Sequence, residues 1–164
     1  MATHAAEHHE HDGTGAPAGA ALTRMAVSAT LHCLTGCAIG EVLGLVLATW
    51  WGWSNGPSIV LSIVLAFAFG YSFTIAPVRR AGLSLRAAVG VALAADTVSI
   101  TTMEIMDTVV VLAVPGAMAA GLTDALFWGS LALSLAVAFV ITVPVNRALI
   151  ARGKGHAVVH QYHH

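Results

Sequence analysis

The chain has 164 residues, enough for one domain, and 57% of them are hydrophobic whereas only 9% are charged. Soluble domains carry roughly 25% charged residues, so this composition excludes an ordinary water-facing surface. The formal net charge of −1 provides no basic field for nucleic acid. Two cysteines inside one apolar stretch do not make the disulfide framework of a small secreted domain. A surface so poor in charge must face a lipid bilayer, and we therefore predict an integral membrane protein.

Residues 1–21 open the chain as a polar tail rich in histidine, alanine and glycine. This tail has too little apolar mass to fold alone, and it lacks the basic segment and short apolar core of a signal peptide. A second histidine-rich tail covers residues 151–164. We expect both tails to be cytoplasmic, where their imidazoles could buffer a metal ion or exchange it with a cytoplasmic donor or acceptor.

Between the tails, residues 22–150 contain apolar stretches at 24–51, 57–78, 86–114 and 124–147. Each stretch has at least the roughly 20 residues that a helix needs to cross the bilayer core. Prolines lie at or near the ends of these stretches, where helices tolerate them best: Pro57, Pro77, Pro115 and Pro144. The sequence predicts an all-α membrane protein with four transmembrane helices.

The basic residues indicate how the helices are oriented. They precede the first stretch, separate the second from the third, or follow the fourth: Arg24, Arg79, Arg80, Arg86, Arg147, Arg152 and Lys154. The positive-inside rule then places both termini and the middle loop in the cytoplasm, as an even number of spans requires. The aromatic residues of the opposite interface are Trp50, Trp51, Trp53 and Trp128.

The first span carries metal-ligating side chains on one helical stripe. Cys33, Cys37 and Glu41 follow one another at steps of four, and His32 borders them. A neighbouring stripe of small residues would let another helix approach closely: Gly36, Gly40 and Gly44. We expect span 1 to contact span 3 through this glycine groove or through the ligand stripe beside it.

The third span carries a ladder of polar side chains. Asp96, Met103 and Asp107 lie within a narrow arc at about 100° per residue, with Ser99 and Glu104 on its flanks. From Asp96 to Asp107 the ladder covers roughly 16 Å of the helix axis. Spans 2 and 4 carry no ionisable residue in their interiors, and we interpret them as supporting walls.

Half of the eight acidic residues thus lie inside predicted spans, with no Lys or Arg at the same depth. Each such carboxylate costs at least about 2.5 kcal/mol on insertion scales, so protons, water or a cation must compensate it. Because spans 1 and 3 run in the same direction, we expect Asp96 level with Cys33 and Cys37. Glu104 or Asp107 should then lie near Glu41.

The two motifs HCxxGCxxGExxG and DxxSxxxMExxD resemble those of a family of small bacterial four-helix membrane proteins that is known only as a domain of unknown function. The residues that match the first motif are His32, Cys33, Gly36, Cys37, Gly40, Glu41 and Gly44, and those that match the second are Asp96, Ser99, Met103, Glu104 and Asp107. The resemblance covers about residues 22–150. It implies the four-helix fold and the boundaries of the two motifs only, and it carries no established activity. We expect a multi-pass protein of the bacterial inner (plasma) membrane.

The side-chain chemistry favours transition-metal binding and transport over an enzyme. Thiolate and thioether groups select Cu(I), whereas thiolate, imidazole and carboxylate together suit Zn²⁺, so we expect copper first and zinc second. The predicted ligands are His32, Cys33, Cys37, Glu41, Asp96, Met103, Glu104 and Asp107. Because four helices make a narrow bundle, a homo-oligomer is one way to enclose a polar path.

Two alternatives stay open at this point. A membrane thiol-disulfide oxidoreductase could use Cys33 and Cys37, although the redox motif has two residues between its cysteines and opens a helix. A subunit for haem binding or metal-enzyme assembly could use His32, the one histidine inside a predicted span.

Overall fold

The computed structural model describes residues 19–152, which form four long helices and one short one. The elements are α1 (Gly19–Trp50), α2 (Asn55–Arg80), α3 (Leu85–Ala113), a 3₁₀ turn at Ala117–Ala119, and α4 (Ala125–Ala151). All four long helices are long and apolar enough to cross a membrane, which confirms the predicted all-α architecture. The predicted tails, except for residues 19–21, 151 and 152, lie outside the described residues.

Helix boundaries follow the predicted stretches with two differences. The first helix begins at Gly19, ahead of the predicted position 24, because Ala20, Ala21 and Leu22 are strong helix formers. Pro144 lies inside α4 and does not mark its end, since the helix continues to Ala151. Transmembrane helices tolerate an internal proline because neighbouring helices and polar side chains can satisfy the freed backbone groups.

The four helices form a ring in which each contacts its two neighbours: α1 packs on α2 and α4, and α3 packs on the same two. Across the centre of the ring α1 also contacts α3. Successive helices run in opposite directions, so the bundle has two chemically different ends. We call one the basic end, with Arg24, Arg79, Arg80, Arg86, Arg147 and Arg152, and the other the tryptophan end, with Trp50, Trp51, Trp53 and Trp128.

The glycine groove of α1 holds α2. A Cβ atom added at Gly36 would lie 2.8 Å from the Cα of Gly70, and one added at Gly40 would lie 2.7 Å from the carbonyl carbon of Leu65. Real Cβ atoms do not approach backbone so closely, so these positions accept only glycine. The partner of the groove is therefore α2, whereas α1 meets α3 through the ligand stripe.

Candidate functional site

The thiol of Cys33 and the carboxylate of Asp96 meet in the middle of the bundle. The Sγ of Cys33 lies 3.7 Å from Oδ1 of Asp96, and both side chains are fully buried. The two residues come from α1 and α3, the parallel helices that meet across the centre. This pairing agrees with the depth predicted from the sequence.

A second thiol and a second carboxylate pair one step closer to the tryptophan end. Cys37 interacts with Glu104, which lies about two turns beyond Asp96, the residue at whose level the sequence placed Cys37. Cys37 lies four residues beyond Cys33 on α1, which is about 6 Å along the helix axis, so the two thiols lie at different depths. Cys33, Cys37 and Met103 belong to one buried cluster, which also includes Ile100.

Beyond Cys37, three carboxylates face one another. Glu41 interacts electrostatically with both Asp107 and Glu104, as expected from their depth. Asp107 accepts a hydrogen bond from the hydroxyl of Ser134 on α4. Within the described part of the chain, Oε2 of Glu41 and Oε1 of Glu104 are buried without any hydrogen-bond partner. Three neighbouring carboxylates, two of them with a buried oxygen that lacks a partner, create a strong demand for protons, water or a cation.

A cavity of about 150 Å³ reaches these carboxylates from the tryptophan end. Glu41, Glu104 and Asp107 line the cavity inside the bundle, and Asn55 and Met118 line it nearer the tryptophan end. The side-chain amide of Asn55 donates a hydrogen bond to the backbone carbonyl of Met118 at 3.0 Å, which ties α2 to the segment between α3 and α4. The remaining walls are largely apolar, so the carboxylates are its main charged feature.

His32 lies at the edge of this arrangement. Its Nε2 is 3.3 Å from the hydroxyl oxygen of Thr74 on α2, and its ring contacts the edge of Phe73 with centroids 5.6 Å apart. Thr74 also interacts with Asp96, so the imidazole connects to the thiol–carboxylate pair through a hydroxyl group. The side chain is only half-buried, unlike Cys33.

The interiors of α2 and α4 carry no ionisable residue, as predicted for supporting walls, but their uncharged polar side chains contact the predicted ligands and their neighbours. In α4, the amide of Asn146 donates to the hydroxyl of Thr30 at 2.9 Å and accepts a hydrogen bond from Ser99. The sequence signal was a row of small or polar residues at intervals of four. In α4 the row is Ser130, Ser134, Ala138, Thr142 and Asn146, and in α2 it is Ala66, Gly70 and Thr74.

The predicted ligands thus form pairs along a column. Among residues 19–152, no group of three or more His, Cys, Asp and Glu side chains is arranged to hold a metal ion. Both cysteines are free thiols, each beside a carboxylate on α3. The column runs from Asp96 to the three carboxylates at the base of the cavity.

The comparisons with known proteins agree with the resemblance of the two motifs. A family model described as a domain of unknown function, DUF4396, matches residues 23–155. A search of curated proteins and a search of solved structures found no match. The match to the family model covers most of the chain, so the protein belongs to the DUF4396 family.

Proposed function

We propose that this protein binds a soft transition-metal ion, copper before zinc, and carries it across the bacterial inner membrane. The observation on which the proposal depends is the pairing of each buried thiol with a carboxylate, Cys33 with Asp96 and Cys37 with Glu104. Two buried thiols need no partner in a membrane, whereas buried carboxylates do. A bound cation compensates the carboxylates and uses the sulfur atoms, so it accounts for both.

The donor set favours copper. The thiols of Cys33 and Cys37 and the thioether of Met103 share one buried cluster, and such soft donors select Cu(I). Zinc sites usually need three or four nitrogen, sulfur or oxygen ligands in tetrahedral geometry. Among residues 19–152, no group of three or more His, Cys, Asp and Glu side chains is arranged in this way.

The proposed route begins in the cavity at the tryptophan end. There Glu41, Glu104 and Asp107 would attract the cation and exchange protons for it, and Cys37 and Cys33 would receive it next. Such a path performs transport and needs no catalytic residue. A second copy of the chain would widen the path if one bundle is too narrow for the ion.

The proposed orientation puts the basic end in the cytoplasm, since every described Arg near a helix end lies there. Reporter fusions test this. A fusion at Asn55 should report the outside of the membrane, and a fusion at Gly82, in the loop between α2 and α3, should report the inside. A cytoplasmic signal from Asn55 would reverse the orientation.

Metal content and metal flux in proteoliposomes test the cargo. We expect one copper ion per chain or per small oligomer, and we expect Cys33→Ser and Cys37→Ser to abolish both binding and flux. Asp96→Asn removes the charge beside one thiol and should weaken copper binding about tenfold, as loss of a supporting group typically does.

The matched control for these variants is Ser72→Ala, because Ser72 is an exposed residue of α2 outside the cavity lining, and its hydroxyl donates to the backbone carbonyl of Ala68. A chain that lacks residues 1–18 should keep the intramembrane site. If this deletion abolishes copper binding whereas Cys33→Ser leaves binding and flux unchanged, the proposed site is wrong.

A further inference from the structure

The polar column is open at one end of the bundle and closed at the other. The cavity opens at the tryptophan end. Toward the basic end the polar column ends with Asp96 and Thr74 and with the cluster of Thr30, Ser99 and Asn146. Within residues 19–152, the buried side chains nearer the basic end than these polar residues are apolar. An ion that entered from the cavity could not leave through such a layer without a movement of the helices.

The closed end is sealed in part by the last turns of α4. Ile150 is fully buried and packs against Leu22 and Ala26 of α1. One turn earlier, Asn146 bonds to Thr30 of α1 and to Ser99 of α3. The same short stretch of α4 thus holds α1 and α3 together by hydrogen bonds and, nearer the basic end, packs an apolar side chain against α1.

Pro144 immediately precedes this stretch. A proline has no backbone N–H, so the carbonyl of Val140 receives no helical hydrogen bond from residue 144. Helices bend at such positions because one hydrogen bond is missing and the ring crowds the preceding turn. The weakest point of the α4 backbone is therefore next to the segment that closes the bundle.

We infer that residues 145–151 of α4 form a gate at the basic end, with Pro144 as its hinge, Asn146 as its latch and Ile150 as its plug. Opening breaks the hydrogen bonds of Asn146 and separates Ile150 from Leu22 and Ala26. The inference rests on the proposed function for the ion that passes. The movement itself can be measured without any metal.

The experiment measures how fast a membrane-impermeant maleimide, added from the basic end, labels a cysteine at Ala26→Cys in the full-length protein in proteoliposomes. Mass spectrometry of the labelled peptide separates this site from the buried native thiols. Ala26 is fully buried and packs against Ile150, so the Ala26→Cys protein without further changes should be labelled slowly. Asn146→Ala should accelerate it about threefold to tenfold, the effect of losing one or two hydrogen bonds in a membrane.

Two further variants make the result specific. Ser99→Ala removes one partner of the latch with little change in volume and should also accelerate labelling. Pro144→Ala restores the helical N–H and should slow the labelling of the Asn146→Ala protein. The control site is Ser58→Cys, which lines the cavity at the opposite end and should be labelled from that side at the same rate in every variant.

The gate is refuted if neither Asn146→Ala nor Ser99→Ala changes the labelling of Ala26→Cys. It is also refuted if labelling at Ser58→Cys rises by the same factor, since the whole bundle has then loosened. If the labelling rates change as described but the protein moves no copper, the gate stands and the proposed cargo is wrong. If copper flux depends on Cys33 but the labelling of Ala26→Cys is the same in every variant, the proposed cargo stands and the gate is wrong.

Discussion

The bundle has two halves, the α1–α2 pair and the α3–α4 pair, and the helices within each pair are joined by a different kind of contact. The α1–α2 pair is joined by backbone contact, with Gly36 and Gly40 pressed against Gly70 and Ala66. The α3–α4 pair is joined by hydrogen bonds between side chains, from Ser134 to Asp107 and between Ser99 and Asn146. Contacts between backbones cannot rearrange without separating the helices, whereas a hydrogen bond can exchange its partner for water or an ion.

This difference suggests a division of roles within the bundle. The glycine contact makes α1 and α2 a fixed frame that carries both thiols, and the polar contact leaves α4 freer than α2 to shift against its neighbour. Hydrogen bonds between membrane helices are worth about 0.6 kcal/mol on average, so a bound ion or a proton can readily compete with them. The following predictions test this comparison.

The largest effect is expected at Gly40. The variant Gly40→Ala places a methyl group against the backbone of α2 and should lower the free energy of unfolding by about 3 kcal/mol, at the upper end of overpacking costs. Thermal unfolding in detergent measures this loss. Gly90→Ala is the control, because Gly90 lies on α3 with open space around it and should tolerate the same methyl group. Equal effects at the two glycines would contradict the fixed frame.

A smaller effect is expected at the interface of α3 and α4. Ser134→Ala removes the hydrogen bond to Asp107 and should lower the free energy of unfolding by about 1 kcal/mol. Chemical denaturation in mixed micelles can resolve a change of this size. Asp107→Asn with Ser134 intact keeps a hydrogen-bond acceptor and should cost less. A loss as large as that of Gly40→Ala would mean that both interfaces are equally rigid.

The smallest effect concerns the interface between the two halves. The hydroxyl groups of Tyr71 on α2 and Thr97 on α3 lie 2.9 Å apart in a half-buried position. Tyr71→Phe should lower the melting temperature by a few degrees at most, because a single membrane hydrogen bond contributes about 0.6 kcal/mol. Thr97→Val also removes the bond from the Thr97 hydroxyl to the backbone carbonyl of Leu93 and should cost slightly more, and adding Tyr71→Phe to it should add nothing further. Additive losses would show that the two hydroxyl groups do not interact.

Much of the fold could be predicted from hydrophobic length alone. Four apolar stretches of about 20 residues or more leave little choice in a bilayer, because only a helix satisfies its own backbone there. The meeting of Cys33 with Asp96 could also be predicted, since two helices that run in the same direction bring residues at similar distances from their starts to similar depths. Both inferences depend on distance along one axis.

What could not be predicted depends on the angle around that axis. The spacing of Gly36, Gly40 and Gly44 defines a face of α1, but it does not say whether α2 or α3 covers that face. In the same way, Asn146 and Ser134 carry no charge and gave no sign in the sequence of which acid or hydroxyl they would meet. The helical period orders residues on each helix, and the neighbours of a helix are set only when all four pack.

The length of α1 has a consequence for the membrane in which the protein works. Thirty-two residues from Gly19 to Trp50 make a rod of about 48 Å, whereas the hydrocarbon core is about 30 Å thick. The rod must therefore tilt or extend past the core, and it tilts further as the bilayer becomes thinner. Since its glycines hold it against α2, the two helices tilt together, so lipid chain length should change the angle between this pair and α4.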